Sequence, residues 1–453
     1  MSVVGIAFGS ATGGTGFDVA GTVSSIMTNM RAPETTWATR ASALIAQDAA
    51  LSTLGTDMSA LTSALNTLSS FDGSFSLKEG VTSDSTTVAL TDATSAAAAG
   101  THMVTVQSLA TTSQQHSSAI TTGAMLSGSF TLQLGSSTPK TISMDALTDK
   151  SVAGLAAAIN HLDMGISASI ITDRSGSYLS LTSAATGTDN DITADSSSLT
   201  GDNGQTVAMT ETQAGQDARY TLDGIALASD SNSVSTALRG VTFQLLGKTT
   251  GAVTIQIAND TAGIATALST FVSAFNTLTA ALAGQEAKNA TGSAQPLFGD
   301  QTVSLIQSQM ASALAFTTGN TGRSSSLSQL GISVGADGRL SLDSTALSTE
   351  LSSNFTGATN FFQTAGDFAQ NLSSILNGLG NTAQGALALR TAQNTAEEKV
   401  LADNKTALEA HLATYQAGLT AELNIANQLL QGIPSRLNEI KQIYAAITGY
   451  GNA

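Results

Sequence analysis

The chain reads as an α+β protein, with a discontinuous α-helical coiled-coil leg drawn from both termini and β-rich head domains inserted between them. Three observations predict this. Apolar residues recur every seven places near each end of the chain, they alternate every second place through much of the middle, and helical spacing returns before the second terminal seam.

The first committed element lies in FDVAGTVSSIMTNMRAPETTW, residues 17–37. Val19, Val23, Ile26, Met27 and Met30 fall on one face of a helix, with Asp18 placed to cap it. Pro33 stops simple continuation, because its ring removes a donor and biases Ala32 away from helical dihedrals. A second helix follows with a heptad seam of Trp37, Leu44, Leu51, Met58 and Leu65, joined by Leu54, Leu61 and Leu68 and interrupted early by Arg40 and Gln47.

The other end carries the matching pattern. Lys405, Leu412, Leu419, Ala426, Ile433, Ile440 and Ile447 lie seven apart. Leu401, Leu408 and Tyr415 flank them first, then Leu423, Leu430, Leu437 and Tyr444. The flank moves by one place midway, as a seven-residue pattern does on a helix of 3.6 residues per turn. Pro434 is expected to kink or break this helix. Two long amphipathic helices at opposite ends of one chain can pack on each other. The segment 17–30, bounded by glycines and a proline, is expected to fold on a partner.

Between the seams the period is two. Strands are expected in 101–109, 128–134, 166–172, 177–183, 241–247 and 252–260. Helical spacing resumes at 264–282 and 302–314, and Asp337-Gly338 between two short apolar runs predicts a hairpin.

Composition narrows the function. The formal charge is −16, from 17 basic and 33 acidic residues, and no Lys/Arg cluster offers a footprint for nucleic acid. Only 11% of residues are charged, which suits a large polar surface of the kind extracellular assembly proteins carry. Cysteine is absent, which removes disulfides, thiolate metal sites and a Cys nucleophile. No basic n-region and apolar h-region open the chain, so no cleaved secretion signal is expected. No uninterrupted run of about 18 apolar residues occurs, so no membrane-spanning helix is expected.

Chemistry-bearing motifs are missing. His102, His116, His161 and His411 sit at no metal-ligand spacing. The acidic run Thr188-Asp189-Asn190-Asp191 lacks the alternating ligands and closing glutamate of a calcium loop and reads as turn chemistry. GSATGGTG at 9–16 lacks the lysine of a phosphate loop and reads as a flexible stretch. No catalytic residue, cofactor or metal is expected, and the chain is expected not to be an enzyme.

Several stretches together resemble one family, the flagellar filament cap proteins (FliD, or flagellar hook-associated protein 2). They are Gly16-Phe17-Asp18-Val19 with Arg31-Ala32-Pro33; SVAGLAAAIN at 151–160 with 165–187, similar to an insertion module of flagellins and caps; Leu222-Asp223-Gly224, Asn232 and Gly240-Val241-Thr242; then 296–310 and 327–343. The ending GIPSRLNEIKQIYAAITGYGNA departs from the Ser/Gln-rich helix such a protein is expected to carry.

The resemblance implies a non-catalytic protein, exported through the flagellar channel and seated at the distal tip of the filament. There it would retain flagellin and promote its folding and polymerisation. Its implied partners are flagellin and the filament tip, further copies of itself in a ring-shaped homo-oligomer, and an export chaperone; nucleic acid and a membrane span are not among them. Filament or subunit contacts are expected at Val23, Ile26, Met27 and Met30, and at Leu423, Leu430, Ile433, Leu437 and Ile440. The alternatives are a hook-filament junction protein or divergent flagellin, and a surface adhesin binding host glycans.

The expected organisation is an N-terminal export and leg segment over 1–36, a helical leg over 37–75 and a first head part over 76–119. An inserted flagellin-like module over 120–204 and a second head part over 205–260 follow. A helical leg domain with a small hairpin occupies 261–400, and a C-terminal coiled-coil leg occupies 401–453.

Overall fold

A computed structural model describes residues 13–290, 292–317 and 326–448. The chain forms two compact units, one from residues 1–69 with 267–453, the other from residues 70–266.

The first unit is helical. Its N-terminal part supplies α1 (Val19–Met30) and α2 (Ala32–Ser69). The middle of the chain contributes a short helix to the other unit, α3 (Val152–His161), before α4 (Thr261–Gln285) and α5 (Gln301–Leu314). Then come α6 (Ser344–Ser353), α7 (Phe355–Gln363), α8 (Phe368–Gly380) and the long α9 (Ala386–Thr448). At 63 residues α9 is about 95 Å long. The heptad positions of α2 explain its burial: Leu44, Leu51, Leu54, Met58, Leu61, Leu65 and Leu68 are all buried, packed against α8 and α9. Phenylalanines supply much of the remaining core. Phe361 stacks on Phe368 with ring centroids 5.2 Å apart, and Phe271 and Phe362 meet Phe368 edge-on. The expected hairpin is present as strands Ile332–Val334 and Leu340–Leu342.

One described helix, α4, is long and apolar enough to cross a membrane by length and composition. The sequence contains no uninterrupted apolar run there because Thr, Ser and Asn break it. Leu268, Phe271, Phe275, Leu278 and Leu282 of α4 are buried in the helical core.

The second unit is β-rich and holds two hydrophobic cores. One lies among Val104, Val106, Tyr220, Phe243 and Ile255, so its residues come from both sides of a long intervening segment. Its five-stranded sheet runs Lys78–Thr82, Val253–Asn259, Gly100–Ser108, Ala218–Leu222, Ile225–Ser229, each neighbour antiparallel. A three-stranded sheet of Ser233–Leu238, Val241–Leu245 and Val88–Ala93 contributes Phe243 and Val88 to the same core. Asp223 and Gly224 turn the last hairpin with φ of 51° and 83°, the paired left-handed turn that Asp-Gly favours.

The other core is assembled from residues 120–207, around Phe130, Leu132, Leu155, Ile159, Leu179 and Leu181. Ser151 caps α3 by accepting from the Ala153 and Gly154 N–H groups, and α3 packs on strand Ile166–Asp173. The chain leaves the first core after Ala110 and returns at Ala218, and a bridge between Thr111 and Gln216 pins the two crossings together. Asn232 strengthens this neck. Its amide accepts from Ala110 N–H at 2.7 Å and donates to Ala110 C=O at 2.9 Å, copying a backbone pairing.

Candidate interaction surface on the terminal helices

The N-terminal segment and α9 run antiparallel. Phe17 N–H donates to Asn427 Oδ1 at 2.8 Å, Arg40 pairs with Glu397, and Arg390 reaches Gln47. Asp18 caps α1, accepting from Gly21 N–H at 2.9 Å. The glycines ahead of it have a steric role: Gly16 has φ of +63°, and a Cβ there would lie 3.0 Å from Asn427 Cγ. Gly14, at φ +66°, would place one 3.0 Å from Pro434 Cγ. The near half of the glycine stretch is thus a close-approach surface. Residues 9–12 lie outside the described part.

Of the kink or break the sequence suggests at Pro434, the break does not occur: α9 continues through it. The ring removes one i→i−4 bond, at a cost of about 3 kcal/mol, and it packs against Gly14, where a Cβ would crowd it.

The nine expected contact residues differ in how far their own chain covers them. Val23 and Met27 are buried with Phe17, Val19 and Leu412, and Met30, Leu423 and Leu430 pack at the edge of that cluster. Ile26 and Ile433 are half-buried. Leu437 and Ile440 are exposed, at 37% and 61%. The helix at 17–30 therefore has a seat within its own chain.

Beyond Pro434 the seam is exposed to solvent, from Leu437 onward. Ile433, Leu437, Ile440, Tyr444 and Ile447 are spaced four, three, four and three, a heptad stripe. Tyr444 is 65% exposed and Ile447 78%. Ile425, Leu429 and Ile443, off this stripe, are also exposed. A helix apolar on several faces normally has partners on several faces. The sequence pattern contained Tyr444 and Ile447, whereas Ile425, Leu429 and Ile443 lie off the seam, and Arg436 interrupts the two-heptad spacing from Leu429 to Ile443.

Polar groups fix the register where α2, α5 and α9 meet. Arg40 forms two bonds to the Glu397 carboxylate, at 2.6 and 2.9 Å, and this holds the Glu397 pKa below its ordinary value. Asp300 caps α5 through Thr302 N–H at 2.8 Å and binds Arg390 Nε at 2.9 Å. Burial pushes the Asp300 pKa up, but the Thr302 hydrogen bonds and the guanidinium outweigh it, leaving the carboxyl below the ordinary range. Asn394 is fully buried and donates to Asp48 at 2.7 Å. Among the described residues, no group of three or more His, Asp or Glu side chains is arranged to hold a metal ion.

Residues 15–113 match the model of the flagellar hook-associated protein 2 N-terminus, and residues 215–433 match that of its C-terminus. The B-type flagellar hook-associated protein 2 of Pseudomonas aeruginosa is 30% identical over 395 residues, covering 80% of this chain and 81% of that protein. This chain belongs to the flagellar hook-associated protein 2 family. The Escherichia coli K12 flagellar hook-associated protein 2 is 29% identical over 372 residues, 76% of this chain and 78% of that protein. The crystal structure of the D1-D2-D3 domains of the flagellar cap protein FliD from Escherichia coli matches with a TM-score of 0.59 at 28% identity, covering 76% of this chain and 99% of that one. The α+β organisation, with helices from both ends and a β-rich middle, is thus that of a solved family member. The two family matches leave residues 114–214 between them, the stretch that holds the second β-rich core.

Proposed function

We propose that this chain is a non-catalytic cap at the distal tip of a bacterial flagellar filament, retaining exported flagellin and promoting its folding and polymerisation. Membership in the hook-associated protein 2 family and likeness to a flagellar cap structure support that reading over a junction protein, a flagellin or an adhesin. The observation that carries the mechanism is the uncovered stripe on α9. Apolar residues in such a row are unfavourable in water and become favourable when a filament subunit or another copy covers them.

In this reading the cap is secreted, associates with its own copies in a ring, and meets an export chaperone on its way out. The contact surface comprises Val23, Ile26, Met27 and Met30 of α1 and Leu423, Leu430, Ile433, Leu437 and Ile440 of α9. Leu437 and Ile440, with Ile447, are available at once, whereas the rest meet partners after local rearrangement. Residues 120–204 act as a module inserted into a head formed by 76–119 and 205–260, which the two separate cores favour.

Deleting the gene tests the function. The cap reading predicts hooks without filaments, flagellin shed as monomer into the medium, and filament growth restored by adding the purified protein. Normal filaments in the deletion strain would overturn it.

A further inference from the structure

We propose that α1 is an exchangeable segment. When copies of this chain assemble, α1 of one copy leaves its own α9 and takes the same seat on the α9 of a neighbouring copy. The inference rests on the self-association read above and names the contact that carries it.

The seat is a core of its own. Phe17, Val19, Val23 and Met27 close on Leu412, bordered by Leu408, Leu419, Leu423 and Leu430, and this cluster is separate from the one that buries α2. The occupant follows from the same observation. The α9 groove at 408–430 is complementary to α1, and every further copy brings another α1 of identical shape. Packing given up within one chain is recovered between chains, so concentration and closure decide which form prevails.

The glycines ahead of α1 belong to the seat, since Gly14 and Gly16 lie against Pro434 and Asn427 of α9, so the hinge is at the other end. There a single residue, Arg31, separates α1 from α2. Arg31 already has φ −79° and ψ −4°, so a ψ change of about 40° makes it helical. Its ion pair with Glu34 stays on the α2 side of that hinge. Just past the hinge, a cavity of about 560 Å³ separates the first turns of α2 from α9, beside Trp37, Ala38, Ala41, Leu401 and Lys405. Glu398 lines it too, with one buried carboxylate oxygen that has no hydrogen-bond partner among the described residues. Straightening at Arg31 gives up the α1 packing on Leu412 and carries the 12-residue helix about 18 Å beyond the start of α2, where the α9 of another copy restores that packing.

The absence of native cysteine gives a direct test. A Cβ at residue 16 lies 3.0 Å from Asn427 Cγ, so the pair Gly16→Cys and Asn427→Cys is close enough for a disulfide. The full-length double variant is assembled, its size checked by light scattering, then oxidised and run on a non-reducing denaturing gel. Exchange predicts covalent dimers and higher multimers that collapse to single chains on reduction. The same protein diluted to monomer gives only internally linked single chains.

Mixing the Gly16→Cys and Asn427→Cys single variants in equal amounts gives a second reading, since a disulfide between their two different introduced thiols can only join different chains. Each single variant alone gives no multimer. Should a substitution at residue 16 prevent folding, Gly14→Cys with Pro434→Cys probes the same seat. Oligomers that yield only internally linked single chains overturn the exchange and leave the cap reading standing. No oligomer before oxidation overturns the self-association itself, and the exchange with it.

Discussion

The two halves of α9 carry the same seven-residue apolar pattern and meet opposite fates. Up to about residue 430 one face of α9 is covered, first by α2 and α8, then by α1, which packs on Leu408, Leu412, Leu419, Leu423 and Leu430. From Leu437 to Ile447 the same spacing lies open. Periodicity therefore states that a helix face wants covering, and only the tertiary structure states whether this chain supplies the cover. The covered half is a stability element and the open half is the surface on which function is proposed.

Substitutions should separate the halves clearly. Leu412→Ala, in the covered half of α9, is expected to cost about 2–5 kcal/mol by urea denaturation, through lost transfer energy and a residual cavity. Ile440→Ala is expected to change stability by no more than about 0.5 kcal/mol. Comparable losses at both positions would erase the distinction.

A smaller effect sharpens the picture of the covered half. Asp48→Ala removes the acceptor of the fully buried Asn394 amide, which should cost about 1–3 kcal/mol. A variant as stable as the parent would show that this bond does not fix the pairing of α2 with α9.

The Asp300 carboxylate gives the comparison a pH dependence. Its folded pKa lies below the ordinary value, so its contribution is complete above the unfolded pKa of about 3.9 and is lost as pH falls through the lower, folded value. Asp300→Asn keeps a helix cap but loses the charge facing Arg390. It is expected to be roughly 1–2 kcal/mol less stable than the parent at pH 7, with the gap closing in acid below pH ~4. A gap that persists unchanged at low pH would assign the effect to packing.

The smallest effect belongs to the exposed Arg40–Glu397 pair. A double-mutant cycle should give about 0.2–1 kcal/mol, diminishing as salt is added.

Much of this comparison was legible in the residues. Leu44 to Leu68 announced a buried face, and the alternation at 101–109 or 177–183 announced strands, because each pattern repeats long enough to specify a period. Short elements did not announce themselves. Strands Thr112–Ser117 and Met209–Gln213 are nearly all polar, and they pair because their neighbours place them in a sheet. The seat of α1 was hidden for a related reason: nothing local distinguishes a helix awaiting another molecule from one whose partner lies about 400 residues away in the same chain. Gly16 shows the same limit, since a glycine read as a flexible link proves to be where the Asn427 and Gln431 side chains of α9 press against the backbone.

The most direct measurement is the Ile440→Asp, Tyr444→Asp double variant, expressed in place of the native chain. A working surface on the open half of α9 predicts a thermal melt within a few degrees of the parent, together with short or absent filaments and flagellin monomer in the medium. Filaments of normal length from a protein that folds normally would contradict the claim that this half of α9 is where the cap does its work.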